Sequence, residues 1–295
     1  MRKLFQTQCP GLLPVVFLSL CLACTSCSDH SYGSPKGYDI KKPESRELGK
    51  SVNEISGLTY SPEDTSLLAV SDSKRKIFQI DLRREKLRDY SEKIYTQSDF
   101  EDLVKVDTTV FVLISDGTIL GMPPHVIDSS NTVVYPSPFH GKNDFETMYY
   151  DPEAKGLIVI CKECEEEKGQ HRRTAYRFDL TTKSFDTAPF YSISTQDVRA
   201  LVKNDDAELR PSAAAIHPIE KTLYILSSAG QILVITDTRG KVLEVFNLNP
   251  DLYPQAEGIA FSPNGTMYIS NEGKFGSPNL LVFHYNKNKD TTKKK

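Results

Sequence analysis

The chain lacks an excess of either charge: 36 Lys and Arg stand against 39 Asp and Glu, for a formal net charge of −3. A protein that grips nucleic acid through its phosphates needs a basic face, so this balance argues against a nucleic-acid partner. A long hydrophobic run is missing at the N-terminus, where residues 12–23 are apolar but interrupted by Pro14. That is shorter than the roughly 20 residues a membrane-crossing helix needs. No Gly-x-Ser-x-Gly elbow and no phosphate-cradling glycine loop occur, so no nucleophile constellation is visible. The repeats described below hold no histidine cluster, which disfavours zinc or iron; His140 and His217 stand singly and read as structural hydrogen-bonders. Of the 6 cysteines, only Cys161 and Cys164 lie outside the first 27 residues. Their Cys-x-x-Cys lacks the two further ligands of a zinc site and the βαβ context of a thioredoxin-like motif. It reads as a local disulfide or as inert thiols.

What is present begins with a targeting segment. Met1-Arg2-Lys3 is basic, the apolar run follows, and the run ends in Cys21-Leu22-Ala23-Cys24-Thr25-Ser26-Cys27. This is a signal peptide in form, and small residues before a cysteine resemble a bacterial lipoprotein processing site. Cys27, behind Thr25 and Ser26, is the expected lipidated residue, with Cys24 as the alternative; neither has leucine three positions earlier. A plain secretory signal is the competing reading. The expectation is a cell-envelope protein held on a membrane by an N-terminal lipid, facing the periplasm or the cell surface. Residues 28–36 read as a tether, 37–286 as the folded domain and 287–295 as a basic, unstructured tail.

The folded part is organised around a repeat. Ser98-Asp99-Phe100-Glu101-Asp102-Leu103 returns as Asn143-Asp144-Phe145-Glu146-Thr147-Met148, and related segments surround Ser56, Ser212 and Glu257. The key positions 56, 101, 146, 212 and 257 are spaced by 45, 45, 66 and 45 residues. Each is followed by an apolar run ending in a polar pair, Ser71-Asp72, Ser115-Asp116, Lys162-Glu163, Ser227-Ser228 and Asn271-Glu272, and then by a third β-rich run. Short β-branched strands bounded by turn residues, repeating in the 40s, predict an all-β, five-bladed β-propeller of four-stranded antiparallel blades. The surplus in the 66-residue interval maps to surface insertions at 163–173 and 191–210, the second with a helical turn near 197–203. Three strands are clear in the last repeat, and Tyr38-Asp39-Ile40 is the strand expected to complete it, with 44–53 as a charged connector.

The first strand of a propeller blade lines the central channel, so Ser56, Glu101, Glu146, Ser212 and Glu257 are expected to converge on one axis. Alternation along a strand would put Asp99 beside Glu101 and Asp144 beside Glu146 on the same face. Carboxylates crowded on an axis repel unless solvated, protonated or paired with cations. Calcium takes such hard oxygens in forgiving geometry. The expected metal ligands are therefore Glu101, Glu146, Glu257, Asp99 and Asp144, against a purely structural role for each. Asp72 and Glu272 read as turn caps, or as an acidic pocket with Asn271 at one end of the channel.

Glu54-Ile55-Ser56-Gly57-Leu58, the two Asp-Phe-Glu units, Arg210-Pro211-Ser212-Ala213, Gln255-Ala256-Glu257-Gly258-Ile259 and Ser270-Asn271-Glu272-Gly273, in this order, resemble the SdiA-regulated family of bacterial envelope propellers. Asp102 and Thr147 stand where that family more often has glycine. The resemblance implies five blades, a bound calcium ion and distant kinship with NHL-repeat proteins, and no established catalytic activity. The expected function is a calcium-binding module for an unidentified envelope protein or small ligand. The alternative is a calcium-dependent hydrolase of the lactonase, esterase or phytase kind, with Glu101, Glu146 and Glu257 holding the ion and Arg210 or Lys142 meeting an anionic substrate.

Overall fold

A computed structural model describes residues 32–72, 74–92, 94, 99–123 and 130–288. The signal segment, both lipidation candidates Cys24 and Cys27, and most of the basic tail lie outside these residues. Five antiparallel sheets follow one another along the chain. Blade 1 holds β2 (Ile55–Ser61), β3 (Ser66–Ser71), β4 (Lys76–Asp81) and β5 (Lys86–Asp89); blade 2 holds β6 (Phe100–Val106), β7 (Thr109–Ile114), β8 (Ile119–Met122) and β9 (Val133–Tyr135). Blade 3 has β10 (Asn143–Asp151), β11 (Gly156–Cys164), β12 (Arg172–Asp179), β13 (Ser184–Phe185) and β14 (Tyr191–Ser194), followed by helix α1 (Thr195–Val202). Blade 4 comprises β15 (Ala213–Ile216), β16 (Leu223–Ser227), β17 (Ile232–Thr236) and β18 (Val242–Asn247), and blade 5 has β19 (Ala256–Phe261), β20 (Met267–Asn271) and β21 (Asn279–Phe283).

The 66-residue interval is absorbed by blade 3. β13 pairs with the end of β12 at Phe178 and Asp179, and β14 pairs with its beginning from Arg172 to Ala175. Two short strands thus share the outer edge that one strand occupies in the other blades. Part of the expected surface insertion is sheet, and α1 covers 195–202 where a helical turn was expected.

Blade 5 is completed by β1 (Glu44–Glu47), whose Glu44 pairs with Val282 and Glu47 with Asn279. The closing strand therefore lies in the segment read as a connector, not at Tyr38-Asp39-Ile40. Tyr38 and Ile40 are buried in the core between blades 4 and 5. The Tyr38 hydroxyl donates to the Gly265 carbonyl at 2.6 Å and lies 2.7 Å from His217 Nε2. A hydroxyl has one proton to give, so Nε2 must carry its own and donate it to Tyr38. His217 Nδ1 accepts from the amides of Ile219 and Glu220, which completes the neutral tautomer. Burial pushes the His217 pKa down to about 4. This is the structural role expected of that histidine.

The core is five wedges, each between neighbouring blades. Leu58, Leu67 and Phe78 of blade 1 pack on Ala260, Leu280 and Val282 of blade 5, for example, and blades 2 and 3 meet through Phe111, Leu113, Phe145 and Phe178. Second strands such as β3, β16 and β20 are buried along their whole length. With both faces covered, they read as continuous apolar runs and not as alternation. Each fully buried Leu or Ile contributes about 1.5–3 kcal/mol of transfer free energy. The inner strands then neighbour one another around the ring in the order β2, β6, β10, β15, β19 and back to β2.

Candidate functional site

Inner strands begin at one end of the channel, called here the upper mouth. In four of them this entry carries a register shift against the second strand: Ser56/Leu58, Phe100/Asp102, Phe145/Thr147 and Ala256/Gly258. The residue standing outside the ladder is Gly57, Glu101, Glu146 or Glu257. A bulge of this kind re-aims a side chain and interrupts alternation. The pairing of faces expected from alternation accordingly changes. Asp99 precedes β6, is 55% exposed and faces Arg75 at 3.6 Å. Asp144 does not line the cavity below, although its charge reaches Glu101, Glu146 and Lys162.

The upper mouth opens into a cavity of about 420 Å³. Six carboxylates line it, Glu54, Asp72, Glu101, Glu146, Glu257 and Glu272, with two lysines, Lys162 and Lys274. Glu101, Glu146 and Glu257 are thus brought together as expected. Asp72 and Glu272 join them as channel residues and not as turn caps; Asp116 is the cap, accepting from the Thr118 amide at 2.8 Å. Ser212 is structural: its hydroxyl donates to the Ala256 carbonyl at 2.9 Å and ties blade 4 to blade 5.

Electrostatics follow from confinement. Burial, with Glu146 and Asp72 nearby, pushes the Glu101 pKa up to about 9. Burial and the Glu146 charge lift Glu257 to about 8. Glu272 rises to about 7 and Asp72 to about 6, again through burial first and neighbouring carboxylates second. Lys162 forms an ion pair with Glu146, both side chains being 19% exposed. Burial works against the Lys162 charge, but Glu146, Asp144 and Glu257 outweigh it and hold its pKa above the usual lysine range. Glu146 is still lifted, because its burial outweighs the help it receives from Lys162.

Lys162 was missed at the sequence level, although a signal existed. The first member of the polar pair is Ser71, Ser115, Ser227 or Asn271 in the other repeats, and here alone it is a long cation. Its neighbour Glu163 points the other way and binds Arg210 at 2.8 Å. Arg210 and Lys142, considered for an anionic substrate, both line a separate cleft of about 490 Å³ beside the blade 3 insertion. Cys161 and Cys164 form a disulfide that brackets Lys162 and Glu163.

Asp102 has its own role. Its buried carboxyl accepts from the Leu103 and Met148 amides, each at 2.8 Å, and links blade 2 to blade 3. The Asp102 carboxyl also presses on Gly57, whose φ of +42° and lack of Cβ permit the approach.

The profile of the SdiA-regulated family matches residues 34–283, which span all five blades and their closing strand. The chain belongs to the SdiA-regulated family. No curated protein matches it. Among solved structures, the luciferin-regenerating enzyme is 14% identical over 82% of this chain and 95% of that one, with a TM-score of 0.52. An aldose sugar dehydrogenase from Streptomyces coelicolor, solved with PQQ bound, is 12% identical over 83% and 99%, with a TM-score of 0.50. Identities this low establish the propeller fold alone.

The calcium that the SdiA-regulated resemblance implies can be tested against the donors of the upper mouth. In favour of it, four oxygens at the upper ends of β3 and β20 are buried without a hydrogen-bond partner: Ser71 Oγ, Asp72 Oδ1, Ser270 Oγ and Asn271 Oδ1. These and the lifted carboxylates are hard donors of the type calcium takes. Among the described residues, however, no three His, Cys, Asp or Glu side chains stand close enough together to form a shell. An ion held here would draw part of its coordination from hydroxyl, amide and carbonyl oxygens.

Proposed function

We propose that this SdiA-regulated propeller is a lipid-anchored envelope binding module that takes calcium into its acidic upper mouth and presents the loaded mouth to an envelope protein or small ligand. The observation that carries this reading is the imbalance of six carboxylates against two lysines around one cavity. Side chains drawn from Asp72, Glu101, Glu257 and Glu272 would have to close on the ion, with the unpartnered oxygens completing its shell, while Lys162 keeps Glu146 neutralised. Calcium would supply the positive charge that the ring lacks and would displace the protons that Glu101 and Glu257 hold near neutral pH. Calorimetry on the intact chain tests it. Calcium should bind with proton release, more tightly at pH 8 than at pH 6, and the binding should be lost in Glu257→Gln. Wild-type protein that takes up no calcium at pH 8 refutes the reading. The anchor rests on the Cys27 sequence pattern and is checked by metabolic palmitate labelling of Cys27→Ser and Cys24→Ser.

One observation favours the hydrolase alternative. Glu101, lifted to about 9 by burial and its neighbours, is a general-acid candidate provided that Asp72, Glu257 and Glu272 hold the ion without it. Calcium-loaded protein that is inert across lactones, esters and phosphoesters counts against it.

A further inference from the structure

The channel's lower mouth is the chemical opposite of its upper one. Among the residues that line it, one repeat position recurs in every blade: Tyr60, Lys105, Tyr150, Ile216 and Phe261, each partly exposed. They surround a cavity of about 410 Å³ whose wall includes Leu58, Met148 and Ile259. Lys105 is neutralised, its Nζ 2.7 Å from Glu63 Oε2, and a second lysine on the lining, Lys221, lies exposed in the turn after β15. In the same turn, Ile219 is 41% exposed. Tyrosine, phenylalanine and isoleucine on a rim beside solvated turns are the side chains that settle at a lipid–water interface.

Both ends of the folded chain leave from this same face. Gly265 lies in the β19–β20 turn and His217 directly follows β15, so the Tyr38 hydroxyl that meets them is at the lower end. The Asn286 amide donates to the Gly37 carbonyl at 2.9 Å, which fixes the exit of the C-terminal segment beside the entry of the N-terminal one. Beyond Asn286 the sequence carries Lys287, Lys289, Lys293, Lys294 and Lys295 against the single acid Asp290. Before the fold, Cys27 stands seven residues ahead of Ser34, and seven residues reach at most about 25 Å. A negatively charged lipid surface attracts the basic end beside the lower mouth.

We propose that the lower mouth docks on an anionic lipid surface, its aromatic rim at the headgroup level and the acidic mouth turned away. The proposal rests on the lipid-anchored reading for its tether, and on the rim and the chain ends for its orientation.

The chain has no tryptophan, so a single introduced one reports alone. Two full-length lipidated variants suffice, Ile219→Trp in a lower turn and Glu166→Trp at an exposed site on the upper side. Each is reconstituted in phosphatidylethanolamine–phosphatidylglycerol vesicles with bromine-labelled acyl chains. Lipid attachment is verified by mass, and unchanged melting verifies the fold. At an interface, bromine should quench Ile219→Trp at least about twofold with a blue-shifted emission, and leave Glu166→Trp unchanged. Equal quenching, stronger quenching of Glu166→Trp, or none at either position overturns the orientation whether or not a lipid is attached. A mass without lipid refutes the anchor separately.

Discussion

Replacing Glu101 with glutamine should stabilise the propeller, and increasingly so as the pH rises. Glutamine keeps the shape of the side chain and removes its titration. Folding lifts the Glu101 pKa from 4.5 to about 9. Between those values the folded state holds a proton that the unfolded chain has released, so stability is greatest below 4.5 and is lost as the pH climbs towards 9. At about 1.4 kcal/mol per pH unit the interval sets a ceiling of about 6 kcal/mol. Solvent in the open cavity and the sharing of charge with Glu146 and Asp72 reduce this to about 3 kcal/mol. For a ring of this size that corresponds to roughly 6–12 °C in Tm at pH 9 and almost nothing at pH 4.5. The assay is a pair of thermal melts across pH 4.5–9 with chelator present. Wild-type and Glu101→Gln curves that run parallel over the whole range would refute the reasoning, because a solvated carboxylate would then be all that position 101 holds.

Lys162→Met should cost about 2–3 kcal/mol at pH 8, because it strands the Glu146 carboxylate in a mostly buried site; urea unfolding at pH 5, where that carboxylate protonates more readily, should show a smaller loss. Tyr38→Phe leaves the Gly265 carbonyl and the His217 Nε2–H unpaired and should lower stability by about 1–3 kcal/mol in the same assay, with calcium affinity unchanged. Cys161→Ser with Cys164→Ser opens a very short loop and should cost about 2 kcal/mol. Because these cysteines bracket Lys162, the double variant should also weaken calcium binding, and unaltered calorimetry would show that the bracket does not position the cavity.

The period of the fold was legible because the second strands are covered on both faces. Segments such as Leu67-Leu68-Ala69-Val70 must be apolar at every position, and that signal survives without any alignment. Positions 101, 146 and 257 fell on the channel for the same reason, since they keep step with those runs. The closing strand was not legible. Glu44-Ser45-Arg46-Glu47 is an outer edge with largely exposed side chains, so no apolar pattern marks it, and its pairing is dictated by the edge of β21. Tyr38-Asp39-Ile40 carries strand-like residues but serves as a plug, its tyrosine buried between two blades. Bulges hide for another reason: one extra residue shifts which way Glu101 points without altering composition. The cavity's own counter-ion, Lys162, belongs to a neighbouring strand and emerges only when the second strands are set side by side.

The seam that finishes the ring joins Glu44 to Val282, positions 238 residues apart. Closing so long a loop costs little more free energy than closing a shorter one, since the cost grows with the logarithm of length. It comes late in time, however, because every blade between must be in place before the two edges meet. Until then β21 offers an open edge to any strand with the right register, and the β1 of a second copy fits it as well as its own. Two chains trading this strand would each regain the β1–β21 ladder, while the connector to β2, whose Leu48 amide donates to the Pro278 carbonyl and whose Asn53 carbonyl accepts from the Gly273 amide, would have to rearrange. The seam therefore makes the single ring and the strand-exchanged pair two closures of one architecture, separated by how crowded the chains are while they fold.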